Sequence, residues 1–205
     1  MGSWSPLLGN AMVSYDGWDR WYLEASTQRE MVESLPAIAE QDISQTWSGS
    51  ADYKLTPAFT AVAGLFEMNI SDGNQRHGGI GRLIYSPPSL EGFNLQLRIK
   101  SINSDFRSTT YFSPVKLREY ELLAAYRKSV TPNWVAGAQL GGGTQRVDSD
   151  SRELVDAEVN LRGWFTPSLG LKEKLGCTNS GGFSVGQGKN GYLYCDANVS
   201  LIGVW

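Results

Sequence analysis

The chain has one histidine, two cysteines and no basic block. It also lacks any apolar stretch that approaches the 18 residues a membrane helix needs. Each absence removes a class of function. His77 alone cannot complete a metal site with Cys177 and Cys195, and neither cysteine lies in a CxxC pair. His77 falls in the polar run Asp72-Gly73-Asn74-Gln75-Arg76-His77, where a solvated side chain is the ordinary reading, and no nucleophile stands beside it. The expectation is therefore no catalytic residue, no metal and no cofactor. A formal net charge of -3 without basic clustering argues against a nucleic-acid partner. Charged residues are scarce at 19%, and hydrophobic residues make up 41%. Glycine, serine, threonine, asparagine and glutamine fill the difference, a composition of many turns and many strands. The lack of a long apolar run excludes a spanning helix and leaves a spanning barrel open.

Alternation of period two is what the chain has in quantity. In the stretch 152–166, Val155, Ala157, Val159, Leu161, Gly163 and Phe165 share one face, and Asp156, Glu158, Asn160 and Arg162 share the other. Segment 43–56 sets Ile43, Gln45, Trp47, Gly49, Ala51, Tyr53 and Leu55 against Ser44, Thr46, Ser48, Ser50, Asp52 and Lys54. Segment 93–106 sets Phe93, Leu95, Leu97 and Ile99 against Asn94, Gln96, Arg98 and Lys100. Segment 117–131 does the same less cleanly, because Leu123 and Ala125 blur it. The other predicted strands are 20–32, 59–71, 77–87, 134–147, 169–178 and 190–205. Residues 1–19 are read as an extension or a truncated strand, and 20–205 as one β-domain.

The connections alternate short and long. Thr56-Pro57-Ala58, Thr131-Pro132-Asn133 and Thr166-Pro167-Ser168 are near-copies of one tight turn, and 86–92 is a longer version. Between them lie the polar links Glu33 to Asp42, Asp72 to Arg76, Arg107 to Lys116 and Asp148 to Ser151. Segments of this length, short turns at one end and longer loops at the other suit an antiparallel barrel in an outer membrane, of about 10 to 12 strands. Aromatic residues near strand ends suit the membrane interfaces: Trp18, Trp21, Tyr22, Phe59, Tyr85, Phe93, Tyr111, Phe112, Trp134, Trp164, Phe165 and Trp205. A soluble ligand-binding β-barrel would alternate equally, with its faces reversed, and periodicity cannot tell inside from outside.

Under the membrane reading the polar face lines the interior. Its candidate pore-lining or substrate-contacting residues are Asp52, Lys54, Gln96, Arg98, Lys100, Glu119, Glu121, Arg127, Asp156, Glu158 and Arg162, with Asn94, Gln139, Asn160, Asp196 and Asn198 beside them. Mixed charge allows two interiors: a water-filled channel, or a closed one whose charges neutralise each other. Gly141-Gly142-Gly143 carries no phosphate-loop context and predicts close backbone approach or a bend in the wall. Cys177 and Cys195 in an oxidising compartment predict a disulfide tying the last strands, with two free thiols as the alternative. The start, MGSWSPLLGN, is not a secretion signal, so either a signal was removed and a start codon added, or a larger chain precedes it.

The final Val199-x-Leu201-x-Gly203-x-Trp205 resembles the assembly signal of bacterial outer-membrane barrels, with Gly203 where a bulky residue is usual. Tyr111-Phe112-Ser113-Pro114 resembles a phrase in the carboxy-terminal barrel of cellulose-export porins. REMVESLPAI, from Arg29 to Ile38, is similar to a strand-to-loop phrase in exopolysaccharide-export barrels, including the poly-N-acetylglucosamine porin; Asn133-Trp134 followed by Gly137, Gln139, Gly141 and Gly142 fits the same group. That resemblance implies export of a polysaccharide across the bacterial outer membrane, with lipid, lipopolysaccharide and the barrel-assembly machinery as further partners. The helical repeats of that group are absent and the strands are fewer, which implies the last two-thirds of such a barrel or a smaller cousin. The alternative is a closed barrel that acts through its loops, as an adhesin or phage receptor.

Overall fold

The computed structural model describes residues 6–32, 34–180 and 193–203. Eleven strands form one antiparallel sheet in which every strand pairs with its sequence neighbours. They are β1 (Gly9–Trp18), β2 (Trp21–Met31), β3 (Ile43–Lys54), β4 (Phe59–Ile70), β5 (Gln75–Tyr85) and β6 (Phe93–Ser104). β7 (Lys116–Thr131), β8 (Trp134–Val147), β9 (Asp150–Thr166), β10 (Leu169–Thr178) and β11 (Tyr194–Gly203) follow. β1 and β11 are not hydrogen-bonded to each other among the described residues. The region before residue 20 thus contains a strand paired with β2, and residues 190–192 and 204–205 of the last predicted segment lie outside the described residues. One short helix, α1 (Leu35–Glu40), sits in the β2–β3 link, capped by the Ser34 side chain and closed by Gln41 in a left-handed conformation.

The sheet curls toward its polar face. Arg98 of β6 reaches Asp156 of β9 at 3.4 Å. On a flat sheet, three strand spacings of about 4.8 Å would separate them, and perpendicular side chains would stay apart. Glycine makes room for this bend on β8. A Cβ on Gly143 would lie 1.9 Å from the Tyr120 carbonyl oxygen, and one on Gly141 would lie 2.9 Å from Leu123 Cδ2. Leu123, which blurs the alternation of β7, lies across Gly141 on the inner face and is 1% exposed.

Burial then identifies the two faces. Outward Leu65, Leu122, Leu140 and Leu201 are 74%, 60%, 66% and 73% exposed, whereas inward Glu119 and Glu121 are 4% and 2% exposed. A soluble barrel hides its apolar face; this sheet presents it. At the short-turn end the outer face carries paired aromatic rings: Trp21–Tyr53 (4.5 Å), Phe59–Tyr85 (4.7 Å) and Trp134–Phe165 (5.1 Å). Three aromatics expected in such a belt are elsewhere. Tyr22 and Trp164 fall on the inner face by register, and Tyr111 is buried in the β6–β7 loop.

Candidate functional site: the inner face

Strand register puts all eleven candidate residues on the inner face, but only some of them meet. Arg98 and Glu121 are opposite each other on β6 and β7 and form an ion pair, with the Glu121 side chain 1% exposed. Asp156 completes the group, reached by Arg98 and by the Gln139 amide, which donates at 3.1 Å. One row nearer the long loops, Lys100 pairs with Glu119 at 3.3 Å, and the Ser180 hydroxyl donates to Glu119 at 2.7 Å. Lys174 of β10 pairs with Glu158 at 2.9 Å, and Asn160 donates to the same carboxylate at 3.3 Å. The middle rows of the β6–β10 wall thus form a lattice of compensated charges.

Gln96 donates to Asn94 at 2.7 Å, outside this lattice. Asp52, Lys54, Arg127 and Arg162 share the face and are not among its ion pairs. Lys174 and Ser180 were not legible as members. On β10 the alternation is broken by Glu173, which faces outward opposite Leu161 and Val199, and Ser180 lies beyond the strand. Above the lattice an apolar layer of Leu117, Leu154 and Ile102, all 9% exposed or less, packs the inner face toward the long loops. On the other side of the curl, β2 and β3 present hydroxyls: Ser26 and Ser48 lie 2.6 Å apart, with Ser50 and Thr46 in the adjoining rows.

The β6–β7 loop is knitted over the long-loop end. The Tyr111 hydroxyl donates to Asp72 at 2.7 Å and accepts from Asn74 at 3.0 Å, and Asn74 also donates to the Phe106 carbonyl at 3.0 Å. Arg76, on the inner face of β5, donates to the Phe112 carbonyl at 2.6 Å. The Ser34 hydroxyl that caps α1 donates to the Thr110 carbonyl at 2.5 Å. Burial first, and then donation to Asp72, hold the Tyr111 phenol above the usual tyrosine range.

Cys177 and Cys195 are register partners on β10 and β11 and form a disulfide. No group of three His, Cys, Asp or Glu among the described residues could hold a metal ion.

A meander of long strands, charged within and apolar without, belted by aromatics at its short-turn end, is the architecture of an outer-membrane barrel protein. Solved structures share its fold. Over 96% of this chain and 70% of the other, the fold matches a bacterial polysaccharide outer membrane secretin, with a TM-score of 0.73 at 13% identity. A KdgM porin solved in complex with disordered oligogalacturonate matches with a TM-score of 0.51 at 12% identity, over 82% of each chain. The NanC porin matches with a TM-score of 0.50 at 11% identity, over 97% of this chain and 100% of that one. No protein-family model matches the chain, and no curated protein matches it in sequence. The chain has the fold of outer-membrane porins and secretins, and its apolar outer face fits it to that membrane.

Proposed function

We propose that this chain forms an outer-membrane barrel that passes a saccharide polymer outward, with its short turns toward the periplasm and its long loops outside. The observation that carries this reading is the curled inner face, where charges and hydroxyls line the interior while the apolar residues face out. The hydroxyl-rich side over β2 and β3 offers hydrogen bonds that can be exchanged from one sugar to the next, as a track for a moving chain requires. Two fold neighbours lend support: one is a polysaccharide secretin, and one was solved with an oligogalacturonate. Lipid and lipopolysaccharide would cover the outer face, and the barrel-assembly machinery would insert it. Asp52, Lys54, Gln96 and the ion-pair lattice are its proposed pore-lining residues.

A second reading has its own observation. The apolar layer of Leu117, Leu154 and Ile102, together with the loop pinned by Arg76 and Tyr111, favours a closed interior whose loops do the work. Single-channel conductance of the folded chain in a planar bilayer separates the two. Stable conductance that a soluble oligosaccharide blocks supports passage. Insertion with heat-modifiable gel mobility but without conductance would support the closed barrel.

A further inference from the structure

Charge on the inner face of β9 is sorted along the strand. From the short turn upward, β9 presents Trp164, Arg162, Asn160, Glu158 and Asp156. Arg162 lies opposite Lys172 on β10, and Arg127 on β7 belongs to the next row, through Gly137 and Asn160. Arg127, Arg162 and Lys172 are exposed. Among the described residues, none of the three has a salt-bridge partner.

The nearest acids on β9 are already engaged. Glu158 is held by Lys174, and Asp156 by Arg98 and Gln139. Four residues along a strand, at about 3.4 Å each, put the Cα of Glu158 roughly 14 Å from that of Arg162. An aromatic surface adjoins the cations: a Cβ on Gly170 would lie 2.8 Å from Trp164 Cε3, so the indole rests on the β10 backbone one row nearer the turn. An indole offers a flat apolar face to the C–H side of a sugar ring, and arginine and lysine supply charge-assisted hydrogen bonds to carboxylates.

We infer that Arg127, Arg162, Lys172 and Trp164 form a binding site for an acidic saccharide, a chain of uronate-type rings, at the short-turn mouth. The site rests on the saccharide-passage reading for its place in a route: it is where an anionic polymer would be captured before it meets the compensated lattice. Two probes of identical backbone isolate the charge, cellotetraose and its C6-oxidised counterpart, tetraglucuronate. Their binding to the folded full chain in detergent at low salt is read by tryptophan fluorescence and equilibrium dialysis.

The uronate should bind at least about tenfold more tightly than the neutral tetramer. The preference should vanish in the triple variant Arg127→Gln/Arg162→Gln/Lys172→Gln, and Trp164→Ala should weaken both probes. Equal affinity for the two tetramers in the wild type overturns the proposal, as does a preference that survives the triple variant. Conductance is scored separately. A conducting protein without uronate preference removes this site and leaves passage standing, whereas a uronate-binding protein that never conducts removes passage and leaves the site.

Discussion

Arg98 is central to the inner lattice, because its ion pairs link β6 both to its neighbour β7 and to the non-neighbouring β9. Removing its charge leaves the Glu121 carboxylate, 1% exposed, without its cation. Arg98→Met should therefore lower stability by about 3 kcal/mol. Adding Glu121→Gln should restore much of the loss, and urea titration of the detergent-folded protein reads both. Gly143 makes a sharper case. A side chain there meets the Tyr120 carbonyl at 1.9 Å, a backbone atom that cannot step aside, so Gly143→Ala should abolish or severely impair folding in a heat-modifiability gel. The glycine run was readable as a site of close approach, since a strand interior gives up packing to hold three glycines. The partnership of Arg98 with Asp156 was not readable, because a contact across two intervening strands depends on curvature that alternation does not encode.

Among the elements, the β6–β7 loop is the one that local pattern described least well. Tyr111-Phe112 resembles an interfacial aromatic pair in sequence, yet Tyr111 is buried by contacts with Ala37 of α1 and Ile70 at the end of β4. Tyr111→Phe keeps the ring and removes its hydrogen bonds. Amide exchange over 105–115 should then quicken by roughly tenfold, the loss of one bond to a charged group. The pH response has a definite sign. The folded phenol titrates above the ordinary tyrosine value of about 10, so its contribution is complete below that pH and is lost as pH climbs through the folded value. Exchange protection in this loop should accordingly hold steady to about pH 10 and fall beyond it. Helix α1 escaped the period-two reading because six residues carry too little periodicity, although Ser34 before Leu35-Pro36 is a legible start signal. The disulfide is the converse case: spacing left it open, and direct register pairing of Cys177 with Cys195 closed it.

For the molecule as a whole, the strands were legible from alternation and the direction of curling was not, since the same pattern serves a soluble barrel turned inside out. A pair of substitutions tests the assignment. Leu122→Arg places a charge on the outward face near mid-strand and should cost about 2–4 kcal/mol in a bilayer. Gln139→Arg, on the inward face beside Asp156, should cost far less. Refolding yield into vesicles reads the difference, and in a soluble barrel the order would reverse. The strand count carries a different consequence. With eleven strands in strict alternation among the described residues, β1 and β11 point the same way along the sheet. A seam joining them directly would be parallel, with slanted hydrogen bonds unlike those of every other pairing in the molecule. Copies inserted in the membrane with one common orientation inherit the same polarity, so edge-to-edge joining of two such chains would be parallel as well. An antiparallel seam requires a strand of opposite sense between the two edges.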